Sequence, residues 1–222
     1  AVNAVAFDIS AACAGFIFAM NIVEGFFKAG IYKTALIIGA ETLSKVTDWS
    51  DRGTCVLFGD GAGAAVLKAE ETGIIDMMMG ADGTKGDVLA CTSRTVGNFL
   101  TGTKPELGFM TMDGQEVFKF AVRKVPESVI ELLQRTGTKK EDIKYYVLHQ
   151  ANERIIEAAA RRLKEPMEKF PMTISQFGNT STASIPLLLD DMIRKDMLKR
   201  GDKIIMSGFG AGMTWGAVLM EW

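Results

Sequence analysis

Two glycine-rich turns with matching sequels constrain this chain most. Phe58-Gly59-Asp60-Gly61-Ala62-Gly63 leads into Ala65-Val66-Leu67, and Phe209-Gly210-Ala211-Gly212 leads into Ala217-Val218-Leu219. Self-similarity of this kind reads as a duplicated α/β unit. Cys13 falls at a strand-to-helix junction, and His149 falls at the matching junction of the second unit. The halves are therefore expected over residues 1–72 and 73–222, with a site between them. Counted from Gly73, 76 residues precede His149, whereas 12 precede Cys13. On that comparison roughly 60 residues of the first half are expected to be absent.

Hydrophobic periodicity sets the expected elements. Strands are expected over 2–9, 34–39 (a buried one), 73–79, 143–148, 172–174, 203–207 and 213–221. Residues 58–67 read as a glycine-rich turn feeding a strand, and 47–54 as a polar loop. Residues 12–29 are apolar nearly all round at helical pitch, which predicts a central helix buried on most sides. Residues 114–137 read as an amphipathic helix that Pro126 either kinks or divides. Residues 152–164 present Ile155, Ile156, Ala159 and Leu163 on one helical face, and 184–197 form a further helix. Turns are expected at 178–183 and 208–212, and residues 84–112 read as loop-rich.

Composition narrows the function classes. The net charge is −2, so nucleic acid is not an expected partner. No charge-free apolar run reaches the roughly 18 residues of a membrane helix. Three cysteines, an odd number, argue against a disulfide framework and for a reducing, cytoplasmic setting. The single histidine, His149, excludes any mechanism that needs two.

Three residues carry candidate chemistry. Cys13 opens a long helix, whose N-terminal dipole is expected to favour a thiolate. Its neighbours Ser10, Ala11, Ala12, Ala14 and Gly15 are small and leave room for an acyl group. His149 precedes Gln150-Ala151-Asn152, and Asn179 lies in Gly178-Asn179-Thr180-Ser181. Singly, an inert buried cysteine, a core histidine and a turn asparagine are the commoner readings. Cys55 and Cys91 are read that way.

Together the segments form a pattern. Asp8-Ile9-Ser10-Ala11-Ala12-Cys13-Ala14-Gly15-Phe16, His149-Gln150-Ala151-Asn152, Gly178-Asn179-Thr180-Ser181 and Gly208-Phe209-Gly210-Ala211-Gly212-Met213-Thr214-Trp215-Gly216 resemble β-ketoacyl-acyl-carrier-protein synthase III. The resemblance runs the whole chain in the family's order, although the family chain continues well upstream of its cysteine. Elongating condensing enzymes use two histidines, thiolases a second C-terminal cysteine, and hydroxymethylglutaryl-CoA synthases a glutamate. Chalcone-synthase-like enzymes share the Cys-His-Asn set and are the alternative, as is a truncated, non-catalytic subunit that binds acyl groups or carrier protein.

The resemblance implies a layered αβαβα thiolase-like fold and a decarboxylating Claisen condensation that starts fatty acid synthesis. Cys13, His149 and Asn179 are the implied catalytic residues, brought together by the fold. The backbone N–H groups of Cys13 and Ala211 form the implied oxyanion hole, and Phe16 and Asn152 line the substrate pocket. Arg52 is the implied CoA contact. Lys119, Arg154, Arg161 and Arg162 are the implied docking surface for an acidic acyl carrier protein, although Glu157 and Glu165 could pair with Arg161 and Arg162. Acyl-CoA and malonyl-acyl carrier protein are substrates, no metal or cofactor is implied, and the complete family protein is a homodimer with its interface largely in the first half. A chain lacking that stretch is expected to be unstable or aggregation-prone alone.

Overall fold

The computed structural model describes residues 2–92, 97–105 and 108–222. A four-stranded sheet organises the second half, in the order β3 (Ile74–Ala81), β8 (Thr214–Glu221), β7 (Lys203–Gly210), β6 (Ile143–Leu148). Only β6 and β7 are parallel. Alternate side chains leave each strand on opposite faces. Tyr146, Leu148, Ile205, Phe209, Ala217 and Leu219 pack with helices α2 (Gly114–Thr136) and α3 (Glu153–Leu163). Val147, Ile204, Met206 and Val218 pack on the other side, with α1 (Gly15–Lys28) and α5 (Ser184–Arg194).

Beyond α1 and α5 lies an antiparallel pair, β1 (Thr34–Glu41) and β2 (Gly61–Lys68). Ile37 reaches the core shared with α1 and α5, while Leu36, Ile38 and Val66 on the opposite face are exposed. The order of layers is α2/α3, the four-stranded sheet, α1/α5, then β1–β2. This is the alternation the sequence predicts, with four layers formed by the described residues. A short pair, β4 (Leu89–Cys91) with β5 (Met110–Met112), lies within 84–112, of which 93–96 and 106–107 fall outside the described residues.

Several sequence expectations are corrected. Residues 2–9 form no strand, because their backbone meets no partner ladder among the described strands, and Val2, Val5, Phe7 and Ile9 are exposed. Phe7 instead sits edge-to-face on Phe26. The predicted helix 12–29 begins as a 3-10 turn, Ala12–Ala14, before α1. Within α1 only Gly15, Phe16, Ile17 and Met20 are buried, and beyond Met20 the helix is partly covered or exposed, so it is not buried on most sides. β1 is not a buried strand but an alternating one, covered on a single face. Residues 172–174 are no strand. Thr173 donates its N–H to Gln150 Oε1 and leads into a helical turn, α4 (Ile174–Phe177). Residues 208–210 are not turn but the end of β7, since Gly208, Phe209 and Gly210 pair with Gly216, Trp215 and Thr214.

Pro126 neither divides nor ends α2, which runs unbroken through it. Proline lacks the N–H that would bond four residues back, leaving the Val122 carbonyl without its helical donor. The Arg162 guanidinium, on α3, supplies one at 3.3 Å.

Candidate active site

The nucleophile turn is held from two sides. Ala12 adopts φ +46° and carries Cys13 into the 3-10 turn. Thr182 Oγ1 donates to the Ala12 carbonyl at 2.7 Å, and Thr214 Oγ1 to the Ala11 carbonyl at 3.2 Å. Behind Cys13 the chain passes Gly210 so closely that a Cβ there would stand 2.6 Å from the Cys13 nitrogen. Burial pushes the Cys13 thiol up to about 11, against the pull of the Ser181 hydroxyl, with the Glu41 charge adding to the rise. The expected thiolate-favouring helix terminus is therefore overridden by desolvation in the resting site.

His149 follows β6, its backbone N–H donating to the Ser207 carbonyl at 2.8 Å. The ring stands edge-on to Phe209, with centroids 5.6 Å apart, and its Nδ1 lies 2.7 Å from Ser184 Oγ. Only 3% of the residue is exposed, and burial pulls its pKa down to about 3. The imidazole is neutral at physiological pH.

Asn179 is fixed by its backbone, which donates to the Leu57 carbonyl at 2.8 Å and accepts from Gly59 N–H at 2.9 Å. Gly178 allows the turn before it, at φ +67°. The Ser181 N–H donates to Asn179 Oδ1 at 2.9 Å, which leaves the amide Nδ2–H group for a ligand.

Cys13, His149 and Asn179 line one cavity of about 180 Å³, together with Phe209 and Gly210. Its apolar walls include Leu57, Phe58, Leu89, Met112, Val117 and Phe118. None of these six is marked by the sequence as a pocket residue: Phe58 opens a glycine-rich turn, and the others are ordinary apolar residues within a strand, helix or loop. Asn152 also lines the cavity, and its side chain caps α3 by accepting from Arg154 N–H at 2.9 Å. Phe16 is not among the lining residues. It lies in the core with Ile17, Met20 and Val218, since α1 turns that face toward the sheet.

Ala211 directly follows Gly210, and its carbonyl accepts from Thr214 Oγ1 at 3.0 Å. Arg52 is exposed beside Gly53, which reaches the cavity, and Asp51 shapes that loop by accepting from Gly53 N–H at 2.8 Å. On α3, Arg154 is exposed one residue before Ile155, a cavity residue, and has no ion pair among the described residues. Lys119 pairs with Glu116 at 2.7 Å, Arg161 with Glu157 at 3.8 Å and Arg162 with Glu127 at 3.6 Å. All three cysteines are free.

The residues that sequence reasoning missed are Ser181, Thr182 and Ser184. Their signal was the run of hydroxyl side chains between Asn179 and the apolar face of α5. This one segment touches Asn179, the backbone before Cys13 and the ring of His149.

Layering of this kind around such a cavity defines the class of acyl-transferring condensing enzymes with the thiolase fold. Residues 7–83 match the family described as 3-oxoacyl-[acyl-carrier-protein] synthase III, and residues 133–222 match its C-terminal region. The chain belongs to this family. It is 50% identical to a β-ketoacyl-[acyl-carrier-protein] synthase III of Clostridium acetobutylicum, over 99% of this chain and 68% of that protein. Among crystal structures, 3-oxoacyl-[acyl-carrier-protein] synthase III from Aquifex aeolicus is 44% identical, with a TM-score of 0.90, covering 99% of this chain and 68% of that one. The synthase III structure from Pseudomonas aeruginosa is 39% identical, with a TM-score of 0.93 and the same coverage. The chalcone-synthase-like alternative is not favoured by these matches.

Proposed function

We propose that the cavity performs the decarboxylating condensation of an acyl-CoA primer with malonyl-acyl carrier protein that starts fatty acid synthesis. The observation that carries this reading is the meeting of Cys13, a neutral His149 and the free amide group of Asn179 in one narrow apolar cavity. Cys13 Sγ attacks the thioester carbonyl of the primer. The new C–S bond forms as the CoA sulfur departs, and the thiol proton leaves with it. Malonyl-acyl carrier protein then loses carbon dioxide, and the electron pair of the broken C–C bond becomes an enolate. His149 Nε2–H and Asn179 Nδ2–H donate to the enolate oxygen. The enolate carbon attacks the acyl-Cys13 carbonyl, whose oxyanion accepts from the backbone N–H groups of Cys13 and Ala211. As it collapses the C–S bond breaks, and the Cys13 sulfur takes up a proton from solvent to restore the thiol. Acyl-CoA enters as a substrate, and no step is assigned to a cofactor.

Residues 1–72 and 73–222 are read as the two halves of the fold, each with its own sheet. Arg52, beside the cavity residue Gly53, is assigned to CoA. Lys119, Arg154, Arg161 and Arg162 are assigned to the acidic carrier, with Lys119 and Arg154 each next in sequence to a cavity-lining residue, Phe118 and Ile155. Among the described residues no helix is long and apolar enough to cross a membrane, and a cytoplasmic homodimer is the assembly in which we place the whole protein.

The test uses two half-reactions. Radiolabelled acyl-CoA should leave stable label on Cys13, and malonyl-acyl carrier protein should release carbon dioxide. Absence of label with intact carrier-protein binding would replace this reading with a binding subunit.

A further inference from the structure

We propose that Ser184 is a positioning residue that holds His149 in the tautomer with the proton on Nε2. The inference rests on the reading of His149 as a donor to the enolate, but its evidence is a separate pair of hydrogen bonds. Ser184 Oγ lies 2.7 Å from His149 Nδ1, and the same oxygen stands 3.3 Å from the Gln150 backbone N–H. Gln150 N–H can only donate, so the serine oxygen accepts there. Ser184 is 2% exposed, so its own proton must find a protein acceptor. The acceptor in reach is Nδ1. With the serine proton directed to it, Nδ1 must be unprotonated, and a neutral ring then carries its proton on Nε2. The opposite tautomer would direct a second donor at Ser184 Oγ and leave the hydroxyl proton without a protein partner at a buried position.

The serine is held where this requires it. It is the first residue of α5, flanked by Ala183 and Ile185, both buried to within 1%. Gln150 is anchored in turn, donating from Nε2 to the Leu148 carbonyl at 2.7 Å and accepting at Oε1 from Thr173 N–H at 2.9 Å. The ring therefore has fixed partners on one edge, while Nε2 has no protein partner among the described residues.

The single histidine makes the test direct, because ¹⁵N-labelled protein gives one imidazole pattern in long-range ¹H–¹⁵N spectra. The wild-type protein should show a pyrrole-like Nε2 and a pyridine-like Nδ1, unchanged from about pH 5 to 8. A protonated Nδ1 in the wild-type spectrum overturns the proposal whatever the variants do. Ser184→Ala should populate the Nδ1–H form and lower malonyl-acyl carrier protein decarboxylation by about tenfold, with acylation of Cys13 changed by less than about threefold. Ser184→Thr, which keeps the hydroxyl, should restore both spectrum and rate. An unchanged tautomer in Ser184→Ala, or equal losses in the two half-reactions, would reduce Ser184 to a packing residue. A wild-type protein with the expected tautomer but no decarboxylation would instead refute the proposed reaction and leave the assignment of Ser184 standing.

Discussion

Arg162 Nη1 donates to the carbonyl oxygen of Val122, the acceptor that Pro126 strands inside α2. The contact ties α3 to α2 beside the wall that Val117 and Phe118 contribute to the cavity. Arg162 thus has a structural duty that Arg161, which faces only Glu157 at 3.8 Å, does not. Arg162→Ala should cost about 1 kcal/mol of stability by denaturant titration, and Arg161→Ala less than about 0.5 kcal/mol. In a Pro126→Ala background, where the helix supplies its own donor, the cost of Arg162→Ala should shrink. An equal cost in both backgrounds would sink the explanation.

Charge reversal separates docking from folding. Arg154→Glu and Arg161→Glu should raise KM for malonyl-acyl carrier protein about tenfold at low salt, with the difference fading as ionic strength rises. Acylation of Cys13 by acyl-CoA should be unaffected. A salt-independent loss would place these residues outside the carrier interface.

Asn179→Asp probes the division of labour. An aspartate still accepts the Ser181 N–H, but presents an oxygen where Nδ2 donates. Decarboxylation should fall by about 10² to 10³, while acylation of Cys13 changes far less. Release of carbon dioxide and incorporation of label, measured side by side, decide it. Equal losses would mean that Asn179 supports the site as a whole.

Two buried titrating groups that line the cavity set opposite limits on stability with pH. His149 is held near 3 when folded and returns to about 6.5 when unfolded, so acidification protonates the unfolded chain first. Stability should decline as pH falls through the window from about 6.5 to about 3, by up to about 1.4 kcal/mol per unit, and His149→Gln should flatten that slope. Cys13 is held near 11 against 9.0 when unfolded. Above about pH 9 the unfolded chain loses a proton that the folded one keeps, so stability should decline again toward pH 11. Alkylation of Cys13 by iodoacetamide in the resting protein should climb with pH well beyond the range of an ordinary thiol. A profile that levels near pH 8 would contradict the buried, protonated thiol.

Gly210→Ala tests the close approach behind the nucleophile. The added methyl would stand 2.6 Å from the Cys13 nitrogen and 3.1 Å from its Cβ, and backbone cannot yield cheaply there. Acylation should fall by about 10² or more, because a shift near 1 Å misplaces the sulfur and its N–H together. Wild-type acylation in this variant would show that the turn is softer than its packing implies.

What the sequence made legible was whatever is encoded locally. The strand 143–148 emerges with those bounds, α3 begins one residue after its Asn152 cap, and α2 ends at Thr136, before Gly137 at φ +66°. Cys13, His149 and Asn179 carried rare residue types in a recognisable order. What depended on distant partners was hidden. Residues 2–9 alternate like a strand, yet alternation does not supply a neighbouring ladder. Residues 172–174 are β-branched and apolar enough for a strand, but Gln150, more than twenty positions earlier, captures the Thr173 N–H. The helix terminus alone predicts an activated Cys13 thiol, whereas desolvation depends on everything packed around it. Ser184 was invisible because a serine at the start of a helix is commonplace until its histidine is found.

The turn from Asn179 to Ser184 has a consequence for how this site can fail. It presents the amide itself, steadies it through Ser181, clasps the nucleophile's backbone through Thr182 and meets the imidazole through Ser184. A single substitution in the turn touches one of these contacts, but opening the turn breaks all of them together. A molecule in which it has opened should therefore lose both half-reactions at once, and a partly damaged sample should be a mixture of working and idle molecules rather than a population of slow ones.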